Sequence, residues 1–140
     1  MNEPVDKMLP TLSIRQPWAD LILWGVKDVE NRSWSTSLRG SLLIHSSTTV
    51  DWEAIRFLER HFGIVLARDY QPQTGAILGK ADLVQCVTHH ESRFFSGPYG
   101  FVLRSPTRFA APVPLRGRPG IFSVAAEILE EVEAGARAGA

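Results

Sequence analysis

The order of strand-like and helix-like segments constrains this fold more than any other feature. Both clear helical stretches come early, at residues 17–24 and 50–62, and almost everything later reads as strand or loop. Residues 12–14 form the first short apolar run. Pro17 then suits the first turn of a helix, where its missing N–H is not needed, and Gly25 suits its stop. Residues 26–34 read as extended. Residues 40–45 form a buried strand that runs into the polar Ser46, Ser47, Thr48 and Thr49. In the second helix Trp52, Ile55, Leu58 and Phe62 recur at steps of three and four, and Gly63 closes it. Residues 75–87 read as a long strand with Gly79 inside it, the mark of a bulge or a close backbone approach. Residues 99–104 and 121–124 are further strands. Residues 106–119 alternate Pro, Arg and short apolar pieces, as a bent edge segment does. Residues 125–132 form a short helix. Five or six strands with two or three flanking helices, without regular alternation, disfavour a parallel doubly wound sheet. They point to an α+β fold built on a small mixed, barrel-like sheet.

At 140 residues and 44% apolar content the chain fits one domain with one core. Residues 1–10 read as a flexible leader, 11–124 as the domain, and 125–140 as an acidic and then Gly/Ala-rich tail. No apolar run approaches the roughly 18 residues of a membrane span, and residues 1–10 lack a secretion signal's basic start and apolar middle. The single cysteine, Cys86, cannot form an internal disulfide or a multi-cysteine zinc site. The four histidines, His45, His61, His89 and His90, show no metal-ligand spacing. The expectation is therefore no metal, no cofactor and a reducing, cytoplasmic compartment.

Formal net charge is zero, but it is unevenly spread. Residues 1–124 carry 14 bases and 11 acids, a balance of +3, and twelve of the fifteen bases in the chain are Arg. That surplus alone does not call for nucleic acid, although forked Arg donors suit phosphates and base edges. Arg104, Arg108, Arg116 and Arg118 can form a basic strip for backbone contact, or a scattered solvated face.

The densest cluster of functional side chains is Gly25-x-Lys27-x-x-Glu30-x-Arg32. The glycine lets the chain turn sharply out of the helix. On an extended segment Glu30 and Arg32 fall on one face, where Glu30 can pair with either cation and hold it toward a phosphate or a polarised carbonyl. By itself this pattern is also that of an ordinary exposed strand.

Its surroundings narrow the choice. Ser13-Ile-Arg-Gln-Pro-Trp18-Ala lies upstream, and Arg39-Gly40 and Ile44-His45 lie downstream. Later come Gly75-Ala-Ile-Leu-Gly79, Gly97-Pro-Tyr-Gly-Phe101 and Pro112-Val-Pro-Leu-Arg-Gly117. Together these resemble the ASCH domain (activating signal cointegrator homology), a branch of the PUA-like superfold, over residues 12–124. The similarity is greatest to the coactivator-type branch. The resemblance implies a PUA-like mixed β-barrel with flanking helices and a cleft where the G-x-K-x-x-E-x-R residues meet.

It also implies association with RNA or DNA, with protein partners as a further expectation. The site then comprises Lys27, Glu30 and Arg32, with Arg15, Gln16 and Trp18 at the start of the first helix. Gln16 offers a bidentate amide to an adenine edge, and Trp18 offers a stacking face or a core side chain. Trp34, Arg39, His45 and Tyr99 complete the set. A smaller branch of the family hydrolyses N4-acetylcytidine, and ribonuclease activity is attributed to some members. Lys27 is the catalytic candidate if the chain is an enzyme of that kind. That branch carries threonine where this chain has Glu30, and a carboxylate there tends to keep the lysine charged. The expectations are thus a nucleic-acid-binding module, a modified-nucleoside hydrolase or ribonuclease, and a coactivator-type protein-interaction module.

Overall fold

A computed structural model describes residues 7–129 of the chain. Six strands form one mixed sheet: β1 (Met8–Gln16), β2 (Val29–Arg32), β3 (Gly40–Val50), β4 (Ala76–Val87), β5 (Tyr99–Pro114) and β6 (Ile121–Ala125). Two helices interrupt them, α1 (Trp18–Leu23) and α2 (Trp52–Phe62), and a further helical turn opens at residues 127–129. The strand order is β2-β5-β4-β3-β1-β6. Only β1 and β3 run parallel, with Ser13 opposite His45; the other neighbours are antiparallel. The α+β class and the strand number agree with the sequence reading. The barrel is open, because β2 and β6 end the sheet and do not pair with one another. β1 begins at Met8, within the expected leader, and pairs there with Ala125 of β6. The rest of the expected leader and tail, residues 1–6 and 130–140, lies outside the described residues.

The inner faces of β1, β3, β4 and β5 carry the core, including Leu12, Ile14, Leu42, Ile44, Leu83 and Phe101. The short helix α1 plugs one end of it through Ala19, Ile22 and Leu23. Gly79 is where the helix and two strands crowd most. A Cβ there would meet the Thr107 carbonyl and come within 2.8 Å of Leu23 Cδ2, and the β4–β5 register shifts beside it. The segment expected to be a bent edge instead continues β5 through Pro114, because bulges in its pairing with β4 absorb the irregular backbone.

The back of α1 is fixed by a buried carboxylate. Asp20 accepts from Tyr70 Oη at 2.6 Å and from Arg108 Nη2 at 2.5 Å. Burial first, and then the Asp20 carboxylate, push the Tyr70 phenol well above its ordinary range, with Arg108 opposing them. Arg108, one of the expected basic strip, is therefore tied to an acid.

The other helix is held differently. Only Leu58 of α2 is buried, while Trp52 stands 57% exposed. Asp51 caps the N-terminus by accepting from Ala54 N at 2.9 Å, and its other oxygen accepts from Trp18 Nε1 at 3.3 Å. At the far end Gly63 adopts the left-handed conformation (φ 66°) that closes the last turn, and Arg93 Nη1 donates to the Phe62 carbonyl at 2.8 Å.

Candidate functional site

The site grows out of the turn that ends α1. Gly25 has φ 79°, a conformation L side chains rarely adopt. The reversal lets both Val26 N and Lys27 N donate to the Leu21 carbonyl, at 2.9 and 3.0 Å. It also turns Lys27 inward, leaving it only 5% exposed. Its ammonium donates to the Val29 carbonyl and to Glu30 Oε1, the latter at 2.7 Å. Glu30 Oε2 accepts from Arg32 Nε at 3.1 Å and Nη2 at 2.9 Å, and Nη2 also reaches the Ser13 carbonyl on β1 at 3.0 Å. The strand's two-residue period puts Glu30 and Arg32 on the same face, as the sequence predicts. One carboxylate thus sits between two cations, and the cluster keeps a net charge of +1. Lys27 and Glu30, both nearly dry, and the half-buried Arg32 all have partners, as burial requires.

Above this cluster lies a cleft with two lobes that share Trp18, Glu30 and Asn31. The first lobe, about 540 Å³, is lined by three arginines, Arg15 from β1, Arg32 from β2 and Arg118 from the approach to β6. Ser13, Ser33, Ser47 and Thr49 add hydroxyl-bearing side chains, and Trp34 forms an apolar wall. The second lobe, about 350 Å³, is walled by Trp18, Phe62, Phe94 and Phe95, with Lys27, Glu30 and Arg93 also lining it. Trp18 divides the lobes. Its ring lies 5.8 Å from Lys27 Nζ and meets Phe62 edge-on at 6.3 Å.

Six of the expected residues converge here: Arg15, Trp18, Lys27, Glu30, Arg32 and Trp34. Trp34 serves two purposes, since it also packs edge-on against Phe101 at 5.2 Å. The other four are placed elsewhere. Gln16 is fully buried; its Nε2 donates to the Gln73 carbonyl at 2.9 Å and its Oε1 accepts from Asp20 N at 3.0 Å, so neither end of the amide is open to a base. His45 is 1% exposed. Its Nε2 bonds the Leu115 carbonyl at 2.7 Å, which makes that nitrogen the donor and leaves Nδ1 to accept from Ser13 Oγ at 2.9 Å. The Gly117 backbone covers this ring so closely that a Cβ would come within 2.7 Å of it. Arg39 is exposed and turns back on its own loop, donating to the Thr36 and Leu38 carbonyls. Tyr99 stands opposite Arg32 in the β2–β5 register, outside the lining of either lobe.

The sequence reading missed Asn31 and the three phenylalanines that wall the second lobe with Trp18. Asn31 holds the loop at residues 88–98 over β2: Nδ2 donates to the Phe94 carbonyl at 2.8 Å, and Oδ1 accepts from Ser96 N and Gly97 N at 2.8 and 3.1 Å. Phe94 is thereby carried against Phe62, with ring centroids 4.8 Å apart and an 18° interplanar angle. The available signal was Phe94-Phe95, an aromatic pair inside an otherwise polar loop. Among the described residues no group of three or more His, Cys, Asp or Glu side chains is placed to hold a metal ion, and no helix is long and apolar enough to cross a membrane.

Comparison with known proteins agrees with this fold. The chain is 29% identical over 139 aligned positions to human Activating signal cointegrator 1, and 28% identical to the mouse protein of the same name. Each alignment covers 89% of this chain and 24% of the relative, so the chain spans about a quarter of their length. Among solved structures, an ASCH protein of Zymomonas mobilis superposes with a TM-score of 0.53 at 16% identity, covering 89% of this chain and 93% of that one. A tyrosine-to-phenylalanine variant of that protein superposes with a TM-score of 0.57 at 14% identity, covering 91% and 98%. These likenesses concern the PUA-like fold. The ASCH domain family profile matches residues 12–113, and the chain belongs to the ASCH domain family.

Proposed function

We propose that the cleft binds a nucleic-acid strand, RNA or single-stranded DNA, with the arginine lobe taking the phosphate backbone. The observation that carries this is the pairing pattern of the cluster. Glu30 fixes Lys27 and Arg32 in place yet leaves a positive surplus, and Arg15 and Arg118 border the same lobe. Phosphate contacts from guanidinium groups supply affinity without sequence preference. Trp18 and Trp34 add aromatic surface of the kind that single strands stack upon.

The same geometry argues against Lys27 as a free-base catalyst. Its Nζ is committed as a donor to a carboxylate and a carbonyl, which hold it in place. Family membership and the kinship to a cointegrator support a nucleic-acid-related or coactivator-type role, so protein partners form the second reading.

Fluorescence anisotropy with RNA and DNA oligomers at about 50 and about 200 mM salt tests the proposal. If the three guanidinium groups each neutralise one phosphate, log affinity should fall against log salt with a slope of about two. Folded protein that binds no oligomer at low salt would retire it. Turnover of N4-acetylcytidine that disappears in Lys27→Ala would establish the hydrolase instead. Pull-downs with and without nuclease separate partners bound directly from those bridged by nucleic acid.

A further inference from the structure

We infer that the second lobe is a pocket for one extruded nucleobase, seated beside a backbone phosphate held in the arginine lobe. The inference rests on the nucleic-acid reading above and adds to it where, and how, a base is held. Three separate segments bring aromatic rings to this lobe: Trp18 from α1, Phe62 from α2, and Phe94 and Phe95 from the loop at residues 88–98. Phe62 and Phe94 are already stacked into a single wall. Arg93 stiffens that wall, lying 5.7 Å from one ring and 5.0 Å from the other while it donates to the Phe62 carbonyl. A flat π-system laid on such a wall gains stacking whatever its sequence identity.

The polar edge of the lobe argues for a heterocycle rather than a hydrocarbon. An ammonium carries three N–H donors, and Lys27 spends two of them, on Val29 and Glu30. The third remains, in a side chain 95% removed from water that lines the lobe. Glu30, also lining the lobe, keeps spare acceptor capacity on its carboxylate. One donor beside one acceptor suits the mixed edge that every nucleobase presents. An apolar ligand would bury both groups without partners, at a cost. Because Trp18 and Glu30 line both lobes, a base in the second lobe leaves its own phosphate near the guanidinium groups of the first.

The test uses three oligomers of equal length: one with normal bases, one wholly abasic, and one abasic except for a single central 2-aminopurine. The inference expects the single-base strand to bind about five- to a hundredfold more tightly than the abasic strand, and its fluorescence to be quenched on binding. Phe62→Leu and Phe94→Leu keep an apolar wall while removing a stacking face. They should erode most of that preference, with folding checked by circular dichroism. Binding of all three strands with equal affinity, or without quenching, overturns the base pocket and leaves the backbone reading standing. Failure of every strand to bind overturns both.

Discussion

The ammonium of Lys27 and the carboxylate of Glu30 meet at 2.7 Å with their side chains only 5% and 10% exposed. The pair is not symmetrical, because Glu30 has a second cation in Arg32 and Lys27 has no second anion among its hydrogen-bond partners. Glu30→Gln should therefore cost about 3 kcal/mol or more, since it leaves two cations beside each other with one nearly dry. Lys27→Met should cost distinctly less, because Glu30 keeps Arg32. Urea unfolding of the two variants gives the order, and equal losses would contradict it.

The arginine lobe makes a separable prediction. Arg118→Ala, far from the buried cluster in sequence, should weaken binding about equally for all oligomers and lower the salt slope by about 0.7. Anisotropy titrations across a salt series read both effects. An unchanged slope would remove Arg118 from the backbone contacts.

Tyr70 supplies a pH dependence whose sign is fixed by its environment. Burial and Asp20 hold its phenol protonated in the folded protein above the ordinary range. Below about pH 10 folded and unfolded chains are both protonated, and the contribution is complete. Above that the unfolded chain loses its proton first, so stability falls as pH rises. Tyr70→Phe should lose about 1 kcal/mol at neutral pH, from one hydrogen bond. It should then decline less steeply than the parent in thermal melts between about pH 9 and about pH 11. Parallel curves would show that burial and Asp20 do not hold the phenol protonated.

Gly79 and Gly117 are both packing glycines, but they oppose different obstacles. A Cβ at Gly79 meets a backbone carbonyl in β5, whereas at Gly117 it meets the His45 ring and the Ser13 hydroxyl. Backbone cannot step aside as a side chain can, so Gly79→Ala should be the more damaging. Gly117→Ala should cost about 1–3 kcal/mol, the usual penalty for overpacking. Melting temperatures of the two variants decide the order.

Asp51 ties α2 to the cleft by capping the helix and accepting from Trp18. Asp51→Ala should cost about 1 kcal/mol overall. Amide exchange in α2 should accelerate well before exchange in β3 or β4, because Leu58 is the helix's sole buried side chain. Uniform acceleration across the molecule would indicate a single cooperative unit instead.

What could be read from the sequence follows a physical division. Gly25, Lys27, Glu30 and Arg32 were readable because their relations are local: a helix stop, a reversal and a two-residue strand period place them together. Gly79 was readable because a glycine inside an apolar strand has few other uses. Gln16 and His45 were not, since their partners are the carbonyls of Gln73 and Leu115, 57 and 70 residues away. A polar side chain does not reveal which distant backbone group it will satisfy. The length of β5 was hidden by its prolines, which the bulged pairing with β4 tolerates. The aromatic wall was hidden because Phe62 follows the helix's apolar spacing, and its stacking on Phe94 depends on Asn31 drawing in a distant loop.

Among the described residues β2 pairs through its backbone with β5 alone, and no ladder links it onward to complete the barrel. What crosses that gap is side chain: Arg32 reaches the Ser13 carbonyl on β1. At this seam one guanidinium therefore stands where other barrels use amides. Such stitching answers to ionic strength and to any anion that competes for the guanidinium, as a peptide ladder does not. A phosphate drawing on Arg32 would pull at the same thread that holds the barrel's edge, so occupancy of the cleft and the tightness of its rim are joined in one side chain.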